Sequence, residues 1–374
     1  MKQKLESLQV GRGVAAFMVL VFHSQVFMRV VHPDSVFTRI FGFGRTGVDF
    51  FFVLSGFLMV YVHRRDFGIP KRLGLYAYKR LTRIYPVYWV LCAVLIPIVL
   101  LAPWVMQNQG KSTLATLLMS VFLIPHDGAR LIGITWSLEY ELMFYLAFAA
   151  FFISVRFGLV CFGAWFAAIA AVAIWGPATL NSFGVPQVTP FILGFMLNLH
   201  VGEFVLGMVA AWLVQRNMRL RMPRALLVSA LLAAATFAAY EANFLPADRT
   251  LRSVTATYGV LAAIIVFAVV QTELRHPVRI PKWLTLLGAA SYAIYLTHYL
   301  VVALAVVVAA HWPALAAIPA PLSLLLLLPI GLAPGIVLHL LVERPLLVMF
   351  AARLQKWESN VKDGPPIVPN VAVG

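Results

Sequence analysis

The chain has 374 residues, 62% of them hydrophobic and only 11% charged, with a mean hydropathy of +0.89. A soluble domain of this size has no means of covering such a core, so the composition excludes a water-soluble protein and implies a polytopic membrane protein. The net charge of +15 would suit a nucleic-acid binder, but the placement of the basic residues, taken up below, argues against that partner and for membrane topology.

A membrane helix needs about 20 apolar residues. The ~10-residue alternating patterns of a barrel are absent, so all-α spans are the reading. Helices are predicted at about 10–28, 47–63, 84–102, 138–155, 158–176, 200–215, 225–241, 254–271, 286–309 and 322–342, ten in all. The first follows Lys2 and Lys4 as a signal peptide would. No small-residue cleavage site comes after it and His23 interrupts it, so it reads as an uncleaved anchor. The run "TLLMSVFLIP" at 116–125 is too short to span and reads as re-entrant or interfacial. Cys92 and Cys161 stand in separate apolar runs without disulfide or zinc spacing, and no metal is expected. The domain reading is one transmembrane domain over 1–345 and a cytoplasmic tail over 346–374, partly disordered through its Pro-rich end "DGPPIVPNVAVG".

Basic residues test the count. With the N-terminus cytoplasmic, residues 1–12, 64–83, 156, 216–224, 275–282 and 343–374 share one side and hold 22 of the 29 Lys and Arg. That asymmetry is the positive-inside pattern. It supports an even number of spans with both termini cytoplasmic.

On the first helix Arg12 and His23 are eleven residues apart. At ~100° per residue that separation is three turns plus ~20°, so both lie on one face, ~16 Å apart along the axis. Arg12 then stands at the cytoplasmic mouth and His23 near mid-membrane, where a titratable group is costly and marks function. Arg12 alone also reads as a snorkelling anchor, and His23 alone as a helix-packing contact. Together they describe a path from an anionic cytosolic ligand to buried proton chemistry.

Arg80 and Arg83 close the cytoplasmic loop between the second and third helices. They are three apart, so they can aim one way and grip phosphates with planar forks. Arg64, Arg65, Lys71 and Arg72 in that loop read as topology charges. Asp49 stands at the start of the second helix, just inside the far side of the membrane, and Glu139 and Glu141 at the start of the fourth, on that same side. Two residues apart, the glutamates face ~200° from each other. One therefore faces the protein interior and the other the interface, and a carboxylate here would set the tautomer of His23.

The motifs Arg12-x10-His23, "GVDFFFVLSGFL", "RLTR" ahead of Tyr85-Pro86, "WSLEYE", "SYAIYLTH" and "ERP" occur in this order over about 10–345. Together they resemble the acyltransferase-3 family of bacterial inner-membrane enzymes, which O-acylate carbohydrate. The resemblance implies that His23 is the catalytic base and that Arg12 is essential. It assigns the Arg80/Arg83 pair to the acyl-CoA donor, and the W-S-L-x-x-E match selects Glu141 over Glu139. With no SGNH hydrolase-like extension after the spans, the chain is similar to the stand-alone exopolysaccharide-type members.

The implied reaction moves an acyl group, acetyl from acetyl-CoA in the first instance, to a glycan or lipid-linked oligosaccharide. Acyl-CoA is then a substrate and no cofactor is permanently bound. The implied location is the bacterial inner membrane, with lipid as the other partner. Glu141, or Asp49, would hold the His23 imidazole. His298 in the ninth helix is either a second site group or a polar packing contact, Ser291, Tyr292 and Tyr295 are helix-interface bonders, and "ERP" ends the tenth helix. The rival class is a transporter of an anion or glycan along the arginine-lined path, but the matching halves common in transporters are not found.

Overall fold

A computed structural model of the chain describes residues 5–101, 113–175, 190–216, 218–244, 251–276 and 278–360, and every regular element among them is helical. The helices used below are α1 (Glu6–Val31), α2 (Thr46–His63), α3 (Leu73–Leu101), α4 (Leu114–Val121), α5 (Trp136–Phe148), α6 (Val155–Trp175), α7 (His200–Gln215), α8 (Pro223–Phe244), α9 (Leu251–Arg275), α10 (Ser291–His311), α11 (Ala320–Leu338) and α12 (Arg344–Asn360). Nine segments among the described residues are long and apolar enough to cross a membrane. The all-α polytopic reading stands, with nine such segments where about ten were expected. The helix expected at 158–176 is present as α6, 21 residues long and apolar over Val155–Ala171, the part of it whose side chains are described.

The chain forms two compact units. One takes the described parts of Met1–Leu54 and Leu213–Ala351, the other those of Ser55–Trp212 and Ala352–Ile367.

In the first unit α1 packs against α10, α11 and the short helix Lys282–Ala289. Lipid is as apolar as leucine, so helices in a membrane associate where small side chains let backbones approach. Two glycines do this here. A Cβ on Gly288 would meet the Gln9 carbonyl of α1, and one on Gly335 would meet the Ile294 backbone of α10. Around them Ala16, Ala290 and Ile294 are almost fully buried. Further along, Leu20, Phe27 and Met28 of α1 interlock with Val302, Leu324 and Leu327.

The start of α1 has no side-chain cap of its own. Glu273 of α9 supplies one: its carboxylate accepts the backbone N–H of Glu6 at 2.7 Å and of Ser7 at 3.2 Å, and also the Ser7 hydroxyl. A carboxylate there satisfies orphan donors and complements the helix dipole.

In the second unit the short α4 is tied to α3 by directional bonds. Tyr88, Trp89 and Tyr85 of α3 donate to the carbonyls of Ser120, Val121 and Phe122 at 2.6, 3.0 and 2.8 Å. These carbonyls lie at the end of α4, where the helix itself provides no partner. Thr113 and Thr116 form a capping box at its other end.

Two boundaries differ from the sequence reading. The helix expected from 84 begins at Leu73, so Arg80 and Arg83 sit inside α3 and not in a loop. Hydropathy drops at the basic residues, but nothing between 73 and 85 breaks a helix, and Pro86 is accommodated within it, as membrane helices allow. Arg72, expected as a solvated topology charge, is buried at 4% exposure.

The motif "ERP" does not end the last span. A π turn over His339–Glu343 joins α11 to α12, and the helix runs on to Asn360. Proline clashes with the carbonyl four residues back in a regular α turn, and the wider π turn before Pro345 relieves that clash. Residues 346–360 of the expected tail are therefore helical. The Pro-rich end, 363–374, lies outside the described residues.

Candidate active site

Arg12 is half-buried on α1, and His23 lies further along it, also half-buried. His23 meets α10, where "SYAIYLTH" puts His298 fully out of solvent contact. His298 Nε2 is 3.1 Å from His23 Nδ1. His23 Nδ1 is also 3.0 Å from the Val19 carbonyl, and His298 Nδ1 is 3.0 Å from the Ile294 carbonyl. The edge of Tyr299 closes on the His23 ring at 5.5 Å between centroids.

Those contacts fix the protons. A carbonyl only accepts, so each Nδ1 facing one carries hydrogen. With its proton on Nδ1, neutral His298 has a lone pair on Nε2. His23 Nδ1–H therefore donates to both Val19 O and His298 Nε2, and the remaining lone pair of His23 lies on Nε2. That nitrogen is the one able to take a proton. The place expected for a carboxylate beside His23 is thus filled by a carbonyl and a second histidine.

Asp49 is buried at 5% exposure on α2 and is not among the hydrogen-bond partners of His23. Ser291, Tyr292 and Tyr295 are buried along α10, with Tyr295 edge-on to Phe51.

In the second unit Arg80, Glu141 and their neighbours form a connected cluster. Tyr145 donates its hydroxyl to Glu141, and Ser55 of α2 reaches Glu141 and the Tyr145 hydroxyl at 3.3 Å each. The Arg80 guanidinium lies 5.4 Å from the Tyr145 ring centre and 6.0 Å from that of Tyr76. Tyr76 in turn donates to the Tyr145 carbonyl at 2.8 Å. Arg80 Nη2 donates to His63 Nε2 at 2.9 Å, and His63 Nδ1 is 3.0 Å from Asp66. Arg83, one turn on, is half-buried.

Glu139 corrects an expectation. It does not face the interface, being 1% exposed. Arg130 clamps it with both prongs, Nε to Oε1 at 2.7 Å and Nη2 to Oε2 at 2.9 Å. A buried charge needs such a partner. Arg130 also donates to the His126 carbonyl at 2.9 Å, and His126 Nε2 is 3.0 Å from the Ser120 hydroxyl. His126 lies outside the spans. Burial, with the Arg130 charge second, holds its imidazole below the ordinary range.

The sequence reading passed over His63, His126 and His200. The spacing of His63 to Asp66 and of His200 to Glu203, one helical turn in each case, was the available signal.

A multi-span helical protein with a histidine pair between two helices and arginine clusters defines a class, and sequence comparison gives it a family. The chain belongs to the acyltransferase-3 family, whose model, described as an acyltransferase domain, matches residues 5–340. It is 30% identical over 323 residues to the exopolysaccharide production protein ExoZ of Rhizobium meliloti (strain 1021), covering 84% of this chain and 92% of that relative. No solved structure matches.

Proposed function

We propose that the protein is an O-acyltransferase of the bacterial inner membrane, with both termini cytoplasmic. In this reading it moves an acyl group, acetyl in the first instance, from acyl-CoA to a hydroxyl of an exported polysaccharide or its lipid-linked precursor. The polysaccharide is suggested by the name of the relative ExoZ, an exopolysaccharide production protein. The observation that carries the reading is the His23–His298 pair, which leaves His23 Nε2 as a proton acceptor.

The reaction needs one such acceptor. A sugar hydroxyl attacks the thioester carbonyl, and His23 Nε2 takes the hydroxyl proton as the C–O bond forms. The tetrahedral intermediate collapses, the C–S bond breaks, and the imidazolium returns the proton to the departing thiolate. The cation formed on His23 strengthens the Nδ1–H bond that neutral His298 accepts.

Coenzyme A is a polyanion, and planar guanidinium groups suit its phosphates. Arg80 and Arg83 take that role, and Arg12 contributes at the entrance of α1. In this reading Glu141 and Asp49 are carboxylates that favour cationic species near each of them.

The test is a comparison of the cell's glycan with and without the gene, by NMR and mass spectrometry. Loss of ester-linked acyl groups in the deletion, restored by wild type and not by His23→Ala, is the expected result. An unchanged glycan overturns the reading.

A further inference from the structure

We infer that His63, together with Asp66, is a positioning residue that aims Arg80 at an anionic phosphate. The inference rests on the reading above, in which Arg80 binds the coenzyme A moiety of the donor.

The argument starts from what each group is able to do. Guanidinium has donors and no acceptor. Arg80 Nη2 at 2.9 Å must therefore donate to a lone pair on His63 Nε2. The proton of a neutral imidazole is then on Nδ1, where Asp66 Oδ2 accepts it at 3.0 Å. The sequence Asp66–His63–Arg80 runs one way, each member fixing the next. Protonating His63 on Nε2 would remove the acceptor and set a second cation against Arg80.

The surroundings hold this arrangement still. His63 is 2% exposed. Tyr76 stands edge-on at 5.3 Å and Phe152 lies at 5.7 Å from its ring centre. Beyond Asp66 and Arg80, the charge that reaches it is that of Lys79. The Arg80 guanidinium is further packed over the Tyr145 ring.

One donor of Arg80 is not used by this scaffold. Its Nε is buried and has no hydrogen-bond partner among the described residues. A buried donor left without a partner costs free energy, and a ligand oxygen recovers it. His63 holds the guanidinium by Nη2, beside Nε, so the Nε–H keeps one direction. A histidine buried only for packing would not require a donor-only neighbour at one nitrogen and a carboxylate at the other.

The experiment measures binding of coenzyme A to the purified full-length protein by calorimetry, for wild type, Arg80→Ala, His63→Leu and His63→Gln. A glutamine amide oxygen stands near the Nε2 position and accepts from Arg80, whereas leucine does not. His63→Leu is expected to raise Kd about tenfold, and His63→Gln to stay within about threefold of wild type. An unchanged Kd in His63→Leu, or an equal loss in both His63 variants, overturns the inference.

If Arg80→Ala binds coenzyme A as wild type does, the donor reading itself falls and this inference with it. If Arg80→Ala is weakened and His63→Leu is not, only the positioning role falls. Should His63→Leu fail to accumulate, Asp66→Leu against Asp66→Asn carries the same comparison. The asparagine keeps an acceptor for His63 Nδ1–H and is expected to bind as wild type, while the leucine is expected to lose affinity. Equal affinities in those two variants overturn the inference.

Discussion

His298 Nε2 and His23 Nδ1 are 3.1 Å apart across the contact of α10 with α1, and the direction of the bond between them is set by two backbone carbonyls. His298→Ala removes the acceptor and frees His23 to change tautomer. The turnover number is expected to fall about a hundredfold, within the range of a misdirected general base, while the KM for acyl-CoA stays within about twofold. His298→Gln, whose amide oxygen accepts from Nδ1–H, should recover much of that loss. Equal inactivity of the two variants, at wild-type protein level, would exclude orientation as the role.

His23 itself is expected to tolerate no substitution that lacks a basic nitrogen. His23→Ala and His23→Gln should lose about 10²- to 10⁴-fold in acyl transfer. The protein should still reach the membrane at a normal level, because His23 is only half-buried. Wild-type rates in His23→Ala would make it a packing residue.

Glu139 and Glu141 should fail in different ways. Glu139→Gln leaves Arg130 facing an amide in a buried pair, and unfolding is expected to become easier by about 3 kcal/mol, the low end for breaking such a pair because Arg130 keeps 18% exposure. The readout is thermal unfolding of the purified protein. Glu141→Gln keeps an oxygen for Tyr145 and Ser55, so stability should change little while turnover drops by at least tenfold. If Glu139→Gln unfolds as wild type does, the Arg130 pair contributes no net stability.

His126 gives a pH dependence whose sign follows from its environment. Burial and the Arg130 charge lower its folded value below 6.5. In the window between the two values the unfolded chain binds this proton and the folded protein does not. The stability it contributes is whole above the unfolded value of about 6.5, and falls as the pH drops from there toward the lower folded value. Between about pH 7.5 and 5.5, the melting temperature of wild type should fall further than that of His126→Gln. Parallel curves would remove His126 from the acid response.

Much of the fold was legible because lipid imposes one rule: a span is an apolar run of known length. The start of α3 was not legible, since the helix continues through a basic stretch where hydropathy falls. The shared face of Arg12 and His23 follows from the helical period alone. Depth and partners do not. Periodicity put Glu139 and Glu141 on opposite sides of α5, yet gave no sign that Arg130, nine residues away across a loop, turns back to bury with Glu139. His63 was hidden for a like reason, because Arg80, the partner that gives it meaning, is on a different helix.

The carboxylate of Glu273 acts as a ruler. From Ser7, where it grips α1, to His23 is sixteen residues, or about 24 Å of helix rise. The depth of the histidine is therefore measured from α9 within the protein and not from the lipid headgroups. When the same molecule sits in a thinner or thicker bilayer, the mismatch is taken up by tilt or by the lipid, and the distance from Ser7 to His23 Nε2 stays the same. A membrane whose acyl chains are remodelled with temperature would leave this spacing unchanged.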